Sequence, residues 1–240
     1  KGWVRARQGH GHDWSQFAFK AGDAFHGAYE VRTTDTLYAV ATNGRVYSIA
    51  VSALPSARGD GAPITTFVDL EAGSRIEHAF AADAETRVLL ATRGGNGLVC
   101  RAGDLLARNR GGKQFLTLDP RDGPLRPALV PGDGDTVVCL SGNGRLLAFP
   151  LAQVKPLRSG GRGVILMGLD GGESLASVAV SGGAGVQVAG TGRGGKPVAR
   201  LLRPRELAQW AGARARKGKL MEPRVRQASL SLPRPEPAAG

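Results

Sequence analysis

Arg108-Asn109-Arg110-Gly111-Gly112-Lys113 packs three cations and two glycines into six positions, and then the chain turns into the strand-like run "QFLTLD". Glycine lets a backbone approach an anion closely, successive N–H groups can form a concave nest, and flanking Arg or Lys neutralise its charge. The chemistry would be phosphate binding. A solvated turn between two strands has the same composition, so the motif by itself does not decide between the two. Other groupings are weaker. "GTGRGG" (190–195) fits GxGxxG, and residues 190–196 fit GxxxxGK. A dinucleotide site needs a helix opening at the glycines, and a P-loop needs Ser or Thr after its lysine. Here Pro197 and a strand-like run follow, which argues against both. "HGHD" (10–13) offers two imidazoles and a carboxylate but no third ligand at metal spacing, and reads as a solvated loop. His26 and His78 stand alone and read as structural. "RGD" (58–60) falls inside a basic turn. Acids such as Asp35, Asp83, Asp133 and Asp135 sit where turns are expected, with no nucleophile and base beside them. No catalytic set emerges.

The elements that must position the basic motif repeat about every fifty residues. "DTLYAVATNGRVYSI" (35–49), "TRVLLATRGGNGLVC" (86–100), "DTVVCLSGNGRLLAF" (135–149) and "VQVAGTGRGGKPVARL" (186–201) each read as strand, tight turn, strand. Asn-Gly or Gly-Gly supplies the positive φ of a short hairpin. Taking Gly44, Gly97, Gly144 and Gly195 as the turn glycines gives spacings of 53, 47 and 51, and Gly2 lies 42 before Gly44, which predicts five units. A second phrase recurs between hairpins: "ARGDGAPITTFVDL" (57–70), "ARNRGGKQFLTLD" (107–119), "LRSGGRGVILMGLD" (157–170) and "RARKGKLME" (214–222). It is basic residues around glycine followed by an apolar strand, so the opening motif has siblings. A unit of this size cannot bury its own apolar face, and stacking of units in a propeller-like array is expected. One helix is predicted over Pro204 to Ala215, with Leu207, Trp210 and Ala211 on one face.

The formal net charge of +12 makes a polyanion the expected partner. From Arg193 onward there are 12 Lys and Arg against 3 acids, while the first 190 residues hold 20 against 17. Because 25 of the 32 cations are Arg in an Ala-, Gly- and Pro-rich chain, genome composition also accounts for the choice of Arg over Lys. Cys100 and Cys139 lie in apolar strands with no metal or CxxC spacing, and read as buried thiols of a reducing compartment. No apolar run approaches a membrane span and no signal peptide opens the chain. Its first phrase, "KGWVRAR", is already strand-like, which predicts a piece of a longer protein.

"GWVRARQGHG", "KAGDAF", "LPSARGDG", "DLLARNRGGKQFLTL", "LLAFPLAQV" and "LRPRELAQWAGARARKGKLM", in this order over residues 1–226, resemble the C-terminal domain of the A subunit of bacterial DNA topoisomerase IV. The proteobacterial members are the nearest. The resemblance implies an all-β, five-bladed broken β-propeller, or β-pinwheel, with strand exchange between blades and one short helix near the C-terminus. The blades would cover approximately 1–42, 43–93, 94–142, 143–190 and 191–226, with a flexible Pro/Ala-rich tail at 227–240. It implies a basic outer rim that binds and bends duplex DNA, within an ATP-dependent type IIA topoisomerase that decatenates chromosomes and relaxes supercoils. No residue of this fragment is expected to be catalytic, and no cofactor or metal is expected in it. ATP and magnesium would act elsewhere in the holoenzyme. Implied partners are duplex DNA, the rest of the A subunit, the B subunit, and, as a family-level candidate, a bacterial condensin. Implied location is the cytoplasm, on the chromosome, with peripheral inner-membrane association as an option.

The related domain of the gyrase A subunit carries a Gln-Arg-Arg-Gly-Gly-Lys-Gly box in its first blade. Here "RARQGHGHD" lacks it, and the nearest copy is the displaced third-repeat motif. The weakened box carries DNA contacts onto Arg108, Arg110, Gly111, Gly112 and Lys113. Repeat position extends them to Arg58, Arg158, Arg162, Arg216, Lys217 and Lys219, with Arg5 and Arg7 at the first blade's opening. This departure favours topoisomerase IV over gyrase-type wrapping. A propeller scaffold for an acidic protein is a competing reading, and an extracellular sugar-binding propeller a third that fits the two unpaired cysteines poorly.

Overall fold

The computed structural model describes residues 2–13, 17–19, 22–222 and 225–233. The chain divides into two units, Lys1–Thr86 with Arg101–Leu116, and Arg87–Cys100 with Thr117–Gly240. The strands pair antiparallel, and each sheet lies within one unit except for Arg101, the last residue of its strand.

In the first unit, sheet A has the strand order Ile76–Ala82, Thr36–Ala41, Arg45–Ala50, Lys113–Gln114. Thr36–Ala41 and Arg45–Ala50 form the hairpin expected from "ATNGR". The Gly44 N–H reaches the Ala41 carbonyl at 2.9 Å and Gly44 has φ +81°, a conformation open to glycine at little cost. A two-stranded ladder, Trp3–Val4 with Ala62–Pro63, completes this unit's sheets. Its core holds Leu37, Ala39, Tyr47, Ile49, Ile64 and Val68.

The second unit holds three sheets. Sheet B runs Val164–Ile165, Asn96–Arg101, Arg87–Ala91, Ala128–Leu129. Sheet C runs Leu175–Ser181, Thr136–Ser141, Arg145–Pro150, Lys219–Leu220. Sheet D has three strands, Pro197–Leu202, Val186–Thr191 and Arg226–Ser231, with Pro197–Leu202 at its edge. Central strands such as Thr136–Ser141 are buried on both faces, which explains their continuous Val, Leu and Cys runs. One core joins sheets B and C through Leu89, Val99, Val137, Leu147 and Phe149. Another joins sheets C and D through Val138, Leu146, Val188, Leu207 and Trp210. Each fully buried side chain of this kind contributes roughly 1.5–3 kcal/mol.

Four expectations need correction. Among the described residues four sheets of blade size are present rather than five: there the first repeat supplies Trp3–Val4 and Ala62–Pro63, and between Val4 and Thr36 only Ala6 makes a further bridge. The second hairpin turns on Gly95, φ +89°, while Gly97 lies inside a strand paired with Val164. The helix covers only Pro204–Leu207 and continues as a 3-10 turn over Ala208–Trp210. It stops because Ala211 is extended and bridges Ala148, with the Gly212 N–H on the Ala148 carbonyl at 2.9 Å. Leu207 and Trp210 are buried as expected, and Ala211 is exposed. Finally, residues 227–231 are not tail, since Arg226–Ser231 pairs with Val186–Thr191 in sheet D. The tail beyond 233 lies outside the described residues.

Candidate nucleic-acid interface

The basic turns have one structural task in common. Each leads into a short strand that pairs with a strand of an earlier repeat, and in sheets A, B and C that short strand is the outer member beside the earlier repeat's hairpin. Ala62 pairs with Val4, Lys113 with Val46, Val164 with Gly97 and Lys219 with Leu146. The residue just before each of these is a glycine in the left-handed region: Gly61 (φ +92°), Gly112 (+65°), Gly163 (+77°) and Gly218 (+72°). A Cβ on any of the four would collide with a backbone carbonyl of the partner strand, at 2.6 Å from Val46 O in the case of Gly112. Strand exchange therefore requires these glycines whether or not an anion binds. Gly111 is different. It lacks a positive φ, and its nearest neighbour is Asn109 Oδ1 at 3.4 Å.

The thirteen residues assigned from the sequence fall into three groups. Arg58, Arg108, Arg158 and Arg216 are exposed, and among the described residues their side chains make no hydrogen bond or ion pair. There is one in each basic turn, and the first three are 50 residues apart. Arg110, Arg162 and Lys217 are exposed but bonded to Asp69, Asp119 and Asp170. The rest serve local structure. Lys113 is half-buried, donates to the Asp104 carbonyl and lies 5.2 Å over the Phe115 ring, so its ammonium turns inward rather than to solvent. The carbonyls of Gly111 and Gly112 accept from Arg45 Nη1 at 3.0 and 3.1 Å. Lys219 donates to the Gln209 carbonyl at 3.0 Å.

Arg5 and Arg7 meet Arg58 in an open cleft of about 470 Å³ that Phe17 and Asp60 also line. Arg5 donates to the Gly59 carbonyl at 3.1 Å and the Ala18 carbonyl at 3.3 Å, while Arg7 lies 5.2 Å over Phe17. The first repeat, which lacks the glycine box, thus gathers three guanidinium groups by another route.

Sequence reasoning missed Arg45 and Arg145, which follow the hairpin glycines Gly44 and Gly144. Arg45 ties Glu71 (3.2 Å) to the third-repeat turn, and Arg145 holds Asp170 at 2.9 Å. The Lys217 ammonium first, and then the Arg145 guanidinium, keep the Asp170 carboxyl below the ordinary carboxylate range. Their place directly after the turn glycine was the available signal.

Gly192–Lys196 joins two strands of sheet D with no helix behind it. His12 Nε2 bonds to the Gln8 carbonyl at 2.9 Å, and among the described residues no group of three His, Cys, Asp or Glu could hold a metal. Asp35 and Asp83 accept backbone N–H bonds in their own turns. Both cysteines are buried thiols outside any disulfide, and burial pushes the Cys139 thiol far up. No helix of the described residues is long and apolar enough to cross a membrane.

Residues 86–123 and 135–181 match the family described as DNA gyrase C-terminal domain, beta-propeller. The chain is 34% identical over 228 residues to the DNA topoisomerase 4 A subunit of Salmonella typhimurium and 33% identical over 241 residues to that of Escherichia coli, covering 92% and 97% of this chain. It spans about 30% of the length of these relatives, 29% and 31% respectively. The solved E. coli ParC C-terminal domain superposes with a TM-score of 0.80 at 31% identity, over 97% of this chain and 96% of that one. A DNA gyrase A C-terminal domain, at 18% identity and a TM-score of 0.65 over 85% of this chain and 67% of that one, shares the fold. With strand-exchanged β-sheets, recurrent basic turns and an end-to-end match to a solved domain, the chain belongs to the family of C-terminal domains of the topoisomerase IV A subunit, of the DNA gyrase C-terminal domain type.

Proposed function

We propose that this chain is a non-catalytic duplex-DNA-binding and DNA-bending domain, engaging phosphates through its basic turns to direct substrate choice. The enzyme it serves would be an ATP-dependent type II topoisomerase acting in decatenation and supercoil relaxation. The observation that carries the reading is the set Arg58, Arg108, Arg158 and Arg216: one exposed guanidinium per basic turn, bonded to nothing else among the described residues. A free cation recurring in each basic turn suits a polymer of phosphates better than a small ligand. Contacts to phosphates carry no sequence information, so binding is expected to vary little with sequence.

A random-sequence duplex titrated with the chain at rising salt tests this. Four phosphate contacts give a slope of log K against log salt of roughly −3.5, with the tied cations adding to it where DNA displaces their acids. Fluorescence transfer between the duplex ends measures bending. No binding at low salt would sink the proposal, and binding without a change in end-to-end distance would remove the bending role. Contacts of this domain with the rest of the A subunit, and with the B subunit, belong to the same proposal.

A further inference from the structure

Each of the last three basic turns contains a cation held by an aspartate from the apolar phrase one repeat earlier. Asp69 Oδ1 accepts from Arg110 Nε at 3.3 Å. Asp119 takes both arms of Arg162, at 2.7 and 3.2 Å. Asp170 takes Lys217, as well as Arg145. Beside each pair runs a backbone bond: the Asp69 N–H to the Arg110 carbonyl (2.9 Å), Thr117 to Gly161 (3.1 Å) and Gly168 to Arg216 (3.0 Å). The loops are therefore fastened without the carboxylates. Both partners stay accessible, with side-chain exposures of 56% and 67% for Arg110 and Asp69, and 56% and 43% for Arg162 and Asp119. Ion pairs this exposed contribute little to stability. Stability is thus a poor reason for three acids to recur at one repeat position beside the basic turns of a +12 chain.

We propose, resting on the duplex-binding reading, that Asp69, Asp119 and Asp170 are affinity-setting residues of the DNA interface. Each occupies a cation that a phosphate would otherwise take, so DNA must displace the carboxylate, and the displaced carboxylate then lies beside the phosphodiester and repels it. Arg58, Arg108, Arg158 and Arg216 grip DNA directly, whereas Arg110, Arg162 and Lys217 engage only by exchange. Binding is thereby held weak and rapidly reversible, as a domain that samples many duplex segments requires.

The test is the chain carrying Asp69→Asn, Asp119→Asn and Asp170→Asn, titrated beside the parent with the same random duplex from about 50 to 200 mM salt. The variant is expected to bind more tightly at low salt, with a salt slope steeper by about 0.9 per freed cation, up to roughly 2.7 for three. Asp119→Glu, which keeps the charge, should retain the parent slope. If the triple variant is misfolded, Asp69→Asn and Asp119→Asn singly make the same measurement, since backbone bonds hold their loops. A parent that binds DNA alongside a folded variant of equal or weaker affinity and equal slope overturns this inference alone. A parent that does not bind at low salt overturns the duplex-binding reading and this inference with it.

Discussion

Adjacent glycines of the third-repeat turn should respond very differently to one added methyl group. At Gly112, alanine must adopt φ near +65° and would place Cβ 2.6 Å from Val46 O and 2.7 Å from Tyr47 Cδ1. The left-handed conformation costs an L-residue about 1–2 kcal/mol, and an overpacked methyl group costs about 1–3 kcal/mol more. Gly112→Ala should therefore destabilise the chain by roughly 2–5 kcal/mol, since neither the outer strand of sheet A nor the buried tyrosine can retreat freely. At Gly111 the nearest atom stands at 3.4 Å and φ is ordinary, so Gly111→Ala should stay within about 0.5 kcal/mol. Urea unfolding of the two variants and the parent, followed by Trp fluorescence and by circular dichroism, measures the difference. Using both probes shows whether the two units unfold together. Equal destabilisation, or a larger effect at Gly111, would refute the argument that strand exchange, and not anion binding, demands the second glycine.

Arg108→Gln should weaken duplex binding and flatten the salt slope by about 0.9, while Lys113→Gln should leave the slope unchanged because that ammonium points to the Asp104 carbonyl; a slope loss only for the lysine variant would reverse the two roles. Asp170 has a folded pKa below its unfolded value, so the stability its pairs contribute is present above an unfolded pKa of about 3.9 and is lost as pH falls through the depressed value. The melting-temperature gap between parent and Asp170→Asn should accordingly close as pH falls through the acid range, and a gap that widens there would contradict the sign. Neither Cys100 nor Cys139 should react with a thiol reagent until the chain is denatured, and rapid labelling of the native protein would show that the strands holding them open.

The hairpins were legible because their information is local. Asn43-Gly44 and Asn143-Gly144 specify a tight turn by themselves, and the alternating phrases recur at a visible period. "TRGGNG" offered three glycines, and the sequence order alone favoured Gly97 over Gly95, where the backbone turns. The first repeat was counted as a blade from the spacing of Gly2 before Gly44, and the described residues between Val4 and Thr36 form no strand. The division of the cations was not legible. Arg110 and Asp69 are 41 residues apart and Lys217 and Asp170 are 47, so which guanidinium is tied and which is free follows from pairing between repeats. Lys113 was assigned a DNA contact together with the rest of its motif, and the register that places it opposite Val46 brings its ammonium to the Asp104 carbonyl.

Pro197 begins the second strand of sheet D's hairpin, the place held by Arg45, Asn96 and Arg145 in sheets A, B and C. Those three residues lie opposite the lent outer strand, and the Arg45 and Arg145 N–H groups donate to the Asn43 and Ser141 side chains, so Pro197 in that place forgoes a turn bond and presents a rigid ring where a strand would dock. A scheme in which each unit borrows a strand invites molecules to borrow from one another, and an exposed edge would then seed open-ended chains. With proline at that place and the exposed Lys196 beside it, the edge resists becoming a template for self-association.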